Sequence, residues 1–375
     1  MKVLLTGAAG FLGWHTRARL RAMTDHVGVP VTHSTWPDLD RLVADADAVI
    51  HMAGVNRGSD AEVREGNIAL AEDLAAALRS SGARPRIVFA SSVQCGNLSP
   101  YGEGKAGAAA VLAGLAAELG SPAVDVRLPN LFGEHARPRY NSFVSTFVEA
   151  VMEGRTPSIE DRPIELLHVQ QAAQVLIDAL DGKPGPIEPR GTPTTVQAVF
   201  NKLVDFQRLY AAGDIPPLLC DLDVDLFNTL RAAMFPSHYP IPLGARSDGR
   251  GSLVEVVRSH GGQGQTFVSS TRPGLTRGEH FHLRKIERFV VLAGRATIRL
   301  RRLFSPEIVT FTVSGVQPCI VDMPTLWSHN ITNTGSSHLT TLFWTNELFD
   351  PDRPDTHPEP VAVVPRELVD AGAGR

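Results

Sequence analysis

The spacing of apolar positions along the chain changes character once. From residue 1 to about 235, short apolar runs (KVLLT, DAVIHMA, RIVFAS, AVDVRL) alternate with Ala- and Leu-rich stretches of helical period such as IALAEDLAAALRSSG and KAGAAAVLAGLAAELG. Alternation of strand and helix predicts a parallel sheet wrapped by helices. After FPSHYPIPLGARSDGRG, where Pro, Gly and Ser cluster, the helical period stops. Short β-rich runs then follow one another (SLVEVV, GQTFVSS, RFVVLAG, RATIRLRRL, EIVTFTV, PCIVDM, HLTTLFWTN), separated by turn residues, as in a sandwich or barrel. The pattern predicts two domains, 1–243 and 244–375. The late stretch DPDRPDTHPEP reads as extended chain to which no chemistry is assigned.

Composition narrows the function classes. At 375 residues, 43% hydrophobic and 20% charged, the chain can bury a full core in each domain. A formal charge of -4 with Lys and Arg spread along the chain offers no footprint for nucleic acid or an anionic membrane. Cys95, Cys220 and Cys319 are scattered and lack CxxC spacing, which argues against a disulfide framework and for a reducing compartment. The apolar residues before Gly7 are too few for a secretory leader, and no run reaches membrane-spanning length, so the expected location is the cytoplasm.

In the first domain, LLTGAAGFLG places Gly7, Gly10 and Gly13 between an apolar strand and a helix start, where the backbone can turn tightly and approach a pyrophosphate. Downstream, RIVFASSVQC ends a strand with Ser91 and Ser92, and YGEGK puts Tyr101 and Lys105 four apart on the first turn of a helix. That spacing sets a phenol and an ammonium on one face, where the cation is expected to lower the phenol's pKa. About twenty positions past the glycine loop, VPVTHST offers His33, Ser34 and Thr35 and no carboxylate to hold a ribose hydroxyl, which favours NADPH over NADH unless Asp38 or Asp40 reaches back.

In the second domain, Gly274, His280, His282, Glu287 and Gly294 fit G(x)5HxH(x)4E(x)6G without a gap, and PTLWSHNITN adds Pro324, His329 and Asn333. Strand period two sends His280 and His282 to one side, so a barrel can aim both inward with Glu287 and His329 from neighbouring strands. Three imidazoles and one carboxylate suit a divalent ion such as zinc.

Glycine loop, strand-end serine and YxxxK, in that order, resemble the extended short-chain dehydrogenase/reductase family over about the first 240 residues, with further matches in HMAGVN, in Asn67 opening the following helix, and in RLPNLFG. The resemblance implies a Rossmann-type doubly wound parallel sheet, with Ser92 (or Ser91), Tyr101 and Lys105 acting on a carbonyl. It implies cofactor contacts at Gly7, Gly10, Phe11, Leu12, Gly13, His33, Ala53, Tyr101 and Lys105. The second motif pair resembles the cupin superfamily, an all-β jelly-roll barrel, with two departures: Leu326 stands where glycine is usual, and the gap after Gly315 is longer than usual. RGEHFH also resembles metal-free cupin sugar epimerases in which the first histidine is a base, so His280 reads as ligand, base or both. The domain order, with YNSFVSTF, DGRGSLVE, TRPGLTRGEHFH and NELFDPDRPDT, resembles CapF-type bifunctional enzymes of bacterial capsule sugar synthesis. That implies C3 epimerisation of a UDP-2-acetamido-2,6-dideoxy-4-hexulose by the cupin, C4 reduction with NADPH, and a homodimer or homotetramer. A single-function 4-ketosugar reductase with a structural or dimerising cupin would carry the same Ser, Tyr and Lys. A dinucleotide-binding redox sensor would need neither Tyr101 nor Lys105.

Overall fold

The computed structural model describes residues 1–362. It divides into two compact units, one of residues 1–146 with 159–197 and the other of 147–158 with the chain from 198 onward. No helix among the described residues is long and apolar enough to cross a membrane.

The first unit is built on strands β1 (Lys2–Thr6), β2 (Val27–Val31), β3 (Ala48–His51), β4 (Arg86–Ser92) and β5 (Ala123–Leu128). β6 (Asn130–Phe132), β7 (Pro163–His168), β8 (Gly185–Ile187) and β9 (Thr192–Thr195) complete it, with helices α1 (Phe11–Met23), α2 (Leu39–Val43), α3 (Asp60–Ser81) and α4 (Pro100–Leu119). α5 (Phe143–Met152) crosses to the second unit, and α6 (Val169–Asp178) belongs to the first. The six-stranded sheet has the order β2-β1-β3-β4-β5-β8 and is parallel throughout. Alternate residues of each strand feed opposite layers: Val3, Leu5 and Ile50 pack with Leu20 and Leu176, whereas Leu4, Val49 and Phe89 pack with Leu74, Leu78 and Leu115. Burial on both faces explains why these strands read as continuous apolar runs. The order reverses between β1 and β3, and a crevice at the carboxyl ends of strands at such a reversal is where α/β sheets bind ligands. β6, β7 and β9 form a separate small sheet.

One expectation is corrected here. Asn67 does not open a helix: α3 begins at Asp60, behind Ser59, whose hydroxyl and Glu62 form a reciprocal cap. A Ser-x-x-Glu cap stabilises a helix start, and it places Asn67 in the second turn.

The second unit contains α7 (Val196–Ala211), α8 (Asp221–Met234), β10 (Ile241–Pro242), the hairpin β11 (Ala245–Asp248) and β12 (Gly251–Val254), and then β13 (Gln265–Thr271), β14 (Thr276–Phe281) and β15 (Glu287–Ala293). β16 (Arg295–Arg302), β17 (Ile308–Ser314), β18 (Cys319–Met323), β19 (Trp327–Asn333), β20 (Leu339–Thr345) and β21 (His357–Pro358) follow. They make two five-stranded antiparallel sheets, β10-β18-β15-β20-β13 and β17-β16-β19-β14-β21. The compact division does not fall at 243, where the helical period ends. α7 and α8 belong with the β region because their side chains complete its buried polar cluster. Arg288 pairs in two parallel bonds with Asp322, at 2.8 and 2.9 Å, both residues fully buried. Tyr210 of α7 donates to the same carboxylate at 2.7 Å, and Arg231 of α8 donates to the Tyr210 hydroxyl at 3.2 Å and to the Met323 carbonyl at 2.8 Å.

Removing the one carboxylate strands two buried guanidinium groups. Asp322→Ala is expected to destabilise the second unit by about 3–5 kcal/mol. Chemical denaturation followed by tryptophan fluorescence checks this, and a midpoint within error of the parent would refute it.

Candidate functional site

The glycine loop leaves β1 at Thr6 and enters α1. Gly7 has φ +67. A Cβ there would stand 2.7 Å from the Ala53 amide nitrogen, and one on Gly13 would stand 2.1 Å from the Gly7 carbonyl oxygen. These glycines let the loop after β1 lie against the loop after β3 and let α1 close on the sheet. The Thr6 hydroxyl ties the two strand ends, accepting from the Met52 and Ala53 amides at 3.1 and 3.2 Å and meeting His51 Nδ1 at 2.8 Å. Gly10 caps α1 with no side-chain bond, so the first-turn amides of Phe11, Leu12 and Gly13 face outward with the positive end of the helix dipole. This is an anion-binding terminus. His33 is exposed in the turn after β2, beside the bonded hydroxyls of Thr32 and Ser34, and Asp38 turns to Arg41 at 3.7 Å.

Ser92 ends β4, and α4 begins eight residues later with Pro100 at its first position and Ser99 as its cap. Strand alternation turns the two serines apart. Ser91 Oγ lies 2.9 Å from Cys95 Sγ, while the Ser92 hydroxyl hydrogen-bonds Tyr101. The Lys105 ammonium is buried, donates to the Ala90 carbonyl at 3.1 Å and lies 5.9 Å from the centre of the Tyr101 ring. The expected lowering of the phenol's pKa is not what this environment does. Burial, foremost, and Cys95 push Tyr101 up to about 12 against the Ser92 hydrogen bond. Burial likewise pushes Lys105 down to about 8. Desolvation of both groups outweighs their mutual attraction. Tyr101 therefore keeps its proton at neutral pH, and Lys105 lies close to the range where it exchanges one. Asn67 Nδ2 donates to the carbonyls of Val55 and Val63 at 2.7 Å each, and a Cβ on Gly54 would stand 2.9 Å from its Oδ1 and 3.3 Å from Lys105 Nζ. Asn67 thus pins the loop after β3 against Lys105. The sequence motif marked this residue, but only the packing shows its task.

In the second unit the ligand-type atoms of His280, His282, Glu287 and His329 all lie within 4.8 Å of one another. Glu287 Oε2 is 3.1 Å from His282 Nε2, 3.2 Å from His329 Nε2 and 3.9 Å from His280 Nε2. A tetrahedral zinc at ordinary bond lengths holds its ligands about 3.3 Å apart. His280 and His329 face each other in register on β14 and β19. Glu287 is not on a strand adjoining these, as the sequence led one to expect, but on β15 in the other sheet. The cluster therefore lies between the sheets. His282 sits one residue beyond the end of β14, its Nδ1 bonded to the Asp355 carbonyl at 2.5 Å, and His329 Nδ1 is bonded to the Trp327 carbonyl at 3.2 Å. With Nδ1 as donor in both rings, each Nε2 presents a lone pair toward the carboxylate, an arrangement that calls for a cation between them. Burial pushes the Glu287 carboxyl up, yet the three surrounding imidazoles hold it well below the usual carboxylate range. Burial drives His329 down to about 4, which keeps it in its neutral, ligating form. The donor set fits a divalent ion.

Leu326, where glycine was expected, has φ +66 and is fully buried. The left-handed backbone that favours glycine is present, held here by apolar packing and by the bond from its amide to the His282 carbonyl at 2.8 Å. The cluster opens on a cavity of about 440 Å³, walled by Phe267, Phe289 and Phe343, with Arg277 and Lys285 at its sides. That volume accommodates a sugar-sized ligand. In the stretch Asp350–Pro360, to which the sequence assigned no chemistry, the Asp355 carbonyl accepts Nδ1–H of His282.

Comparison with known proteins agrees with both units. The model of the NAD dependent epimerase/dehydratase family matches residues 3–183, and that of the polysaccharide biosynthesis C-terminal domain matches residues 246–357. A curated Pseudomonas aeruginosa protein, UDP-2-acetamido-2,6-beta-L-arabino-hexul-4-ose reductase, is 31% identical over 366 residues, covering 95% of this chain and 98% of its own. The crystal structure of the capsular polysaccharide assembling protein CapF from Staphylococcus aureus is 31% identical with a TM-score of 0.62, covering 96% of this chain and 100% of its own. A CapF structure with the inhibitor 3-isopropenyl-tropolone is 30% identical with a TM-score of 0.57 over the same shares. The chain belongs to the CapF-like family, in which an epimerase/dehydratase-type nucleotide-binding domain is joined to a C-terminal polysaccharide biosynthesis domain.

Proposed function

We propose that this protein acts twice on one UDP-2-acetamido-2,6-dideoxy-4-hexulose, the second unit inverting C3 and the first reducing the C4 ketone with NADPH, toward a polysaccharide precursor. The observation that carries this reading is that each unit holds the groups for one step at the same carbonyl: Ser92, Tyr101 and Lys105 in one, His280, His282, Glu287 and His329 in the other. The name of the Pseudomonas aeruginosa relative, a hexul-4-ose reductase, supports the substrate class.

At C3, the neighbouring ketone acidifies the C–H bond. His280 is the ligand-set ring most open to the cavity, with its side chain 22% exposed, and is placed to take that proton. The C–H electron pair becomes the enolate, and a proton returned to its opposite face restores the ketone with C3 inverted. A divalent ion held by His282, Glu287 and His329 would supply positive charge for the enolate oxygen and would leave the His280 lone pair free for the proton. At C4, NADPH when bound supplies the hydride. The amides of Phe11, Leu12 and Gly13 would hold its pyrophosphate, with Gly7, Gly10 and Ala53 lining the crevice and His33 near its ribose phosphate. Tyr101 gives its proton to the C4 oxygen as that oxygen gains charge, the Ser92 hydroxyl donates to the same oxygen, and Lys105 stands behind the phenol. Loss of the ketone ends exchange at C3 and locks its configuration.

Tyr101→Phe is expected to lower C4 reduction by about 10²–10⁴ while NADPH still binds, as read by nucleotide fluorescence. Undiminished reduction would remove the assignment. With the reductase silenced in this way, C3 proton exchange of the 4-ketosugar in deuterated water should persist and should fail in His280→Ala. Exchange that continues unchanged there leaves a reductase with a structural second unit. A kcat/KM higher with NADH than with NADPH would contradict the reading of the turn around His33.

Lys105 gives a test that does not need substrate. Its pKa falls from 10.5 unfolded to about 8 folded, so between those values the unfolded chain binds more protons and stability rises with pH. The penalty, of the order of 3 kcal/mol, is fully present below pH 8. Lys105→Met should melt higher than the parent at pH 7, with the gap closing as pH approaches 10.5, and should not reduce substrate. A parent that melts higher at every pH would show that the lysine's contacts outweigh its desolvation.

A further inference from the structure

Asp355 belongs to a stretch with no recognisable motif, yet it holds the segment between two ion ligands at four atoms. Its carbonyl oxygen accepts Nδ1–H of His282 at 2.5 Å. Its carboxylate accepts three consecutive amides that follow His282: Leu283 to Oδ1 at 2.9 Å, then Arg284 and Lys285 to Oδ2 at 2.9 and 2.7 Å. To make these bonds the residue adopts φ +40, a left-handed conformation that a side chain disfavours. Strained backbone of this kind persists only where its surroundings over-determine it. Here Lys285 Nζ donates to the Pro354 carbonyl at 2.7 Å and to Thr356 Oγ1 at 3.0 Å, and Phe281 and His280 pair with His357 and Pro358 of β21.

The geometry has a consequence for the ion. The turn 283–286 is the covalent link between His282 and Glu287, whose ligand atoms must meet at one centre. Three parallel amides gathered on one carboxylate set the shape of that link, and the carbonyl of the same residue sets which nitrogen of His282 carries the proton. We propose that Asp355 is the positioning residue of the cluster, fixing both the tautomer of His282 and the reach from His282 to Glu287. This rests on the metal reading made above. Asp355 does not touch the ion. It acts through His282 and through the turn.

The test uses the full chain, stripped of metal and titrated with zinc against a chromogenic chelator. The parent should bind close to one equivalent. Asp355→Ala and Asp355→Gly should each weaken zinc affinity by about 10–100-fold. The glycine variant tolerates the left-handed backbone, so it isolates loss of the carboxylate from strain. Asp355→Asn, which keeps an acceptor oxygen and suits that backbone, should recover most of the affinity. Glu359→Gln weakens the same strap at Arg301, where the carboxylate accepts at 2.7 Å, and should leave affinity near the parent's. In the metal-free protein, amide exchange at Leu283, Arg284 and Lys285 should quicken in Asp355→Ala and Asp355→Gly alone. Unchanged NADPH binding reports a folded first unit in every variant. The proposal is overturned if the glycine variant binds zinc like the parent, or if Glu359→Gln weakens binding as much, since the strap as a whole would then be responsible. A parent that binds neither zinc nor cobalt removes the metal reading and this role together, a pattern distinct from a zinc-binding parent with insensitive Asp355 variants.

Discussion

Two adjacent residues of β15 carry buried charge to opposite faces of one sheet, and most of the second unit follows from that. Strand period two sends Glu287 inward among three histidines and sends Arg288 outward to Asp322, Tyr210 and the loop at Gly213. Neither charge is tolerable in isolation, because desolvation of an unpaired buried ion costs several kcal/mol. The outward charge is met by helices α7 and α8, which explains why these helices belong with the β region and not with the preceding sheet. The inward charge is met by imidazoles whose outer nitrogens are already committed to backbone carbonyls. A one-residue slip of β15 would exchange the two partners and lose both arrangements, so the register Glu287↔Met323 and Arg288↔Asp322 is strongly specified.

The first unit meets a different demand. Its parallel sheet is sealed on both faces, and chemistry is possible only at the strand ends, where loops supply backbone amides and a few polar side chains. Thr6, His51, Asn67 and Lys105 are all buried there. Each is held by a bond to a neighbouring strand or loop, and Lys105 is destabilised by its own burial. Burial also drives His51 down to about 3, with Lys105 as the lesser cause, so this imidazole is neutral and adds no second positive charge beside the ammonium. The site thus concentrates one cation and one protonated phenol at the strand ends. Such desolvated groups respond more strongly to a nearby negative charge than they would in water.

The sequence by itself determined whatever depends on near neighbours in the chain. The period change near residue 243 marked the two fold classes, the Gly7–Gly13 spacing marked the strand-to-helix turn, Tyr101 and Lys105 shared a helix face, and His280, His282 and Glu287 stood in a recognisable spacing. The departure at Leu326 was not legible in this way: its left-handed backbone is held by packing and by its bond to the His282 carbonyl. Only the tertiary structure decided the rest. The pKa of Tyr101 depends on how deeply the phenol is buried, and the sheet that delivers Glu287 depends on how two sheets pack. The part played by Asp355 depends on contacts formed across about seventy residues of chain. Those quantities are set by desolvation and by long-range register, which carry no period and leave no local trace in a sequence.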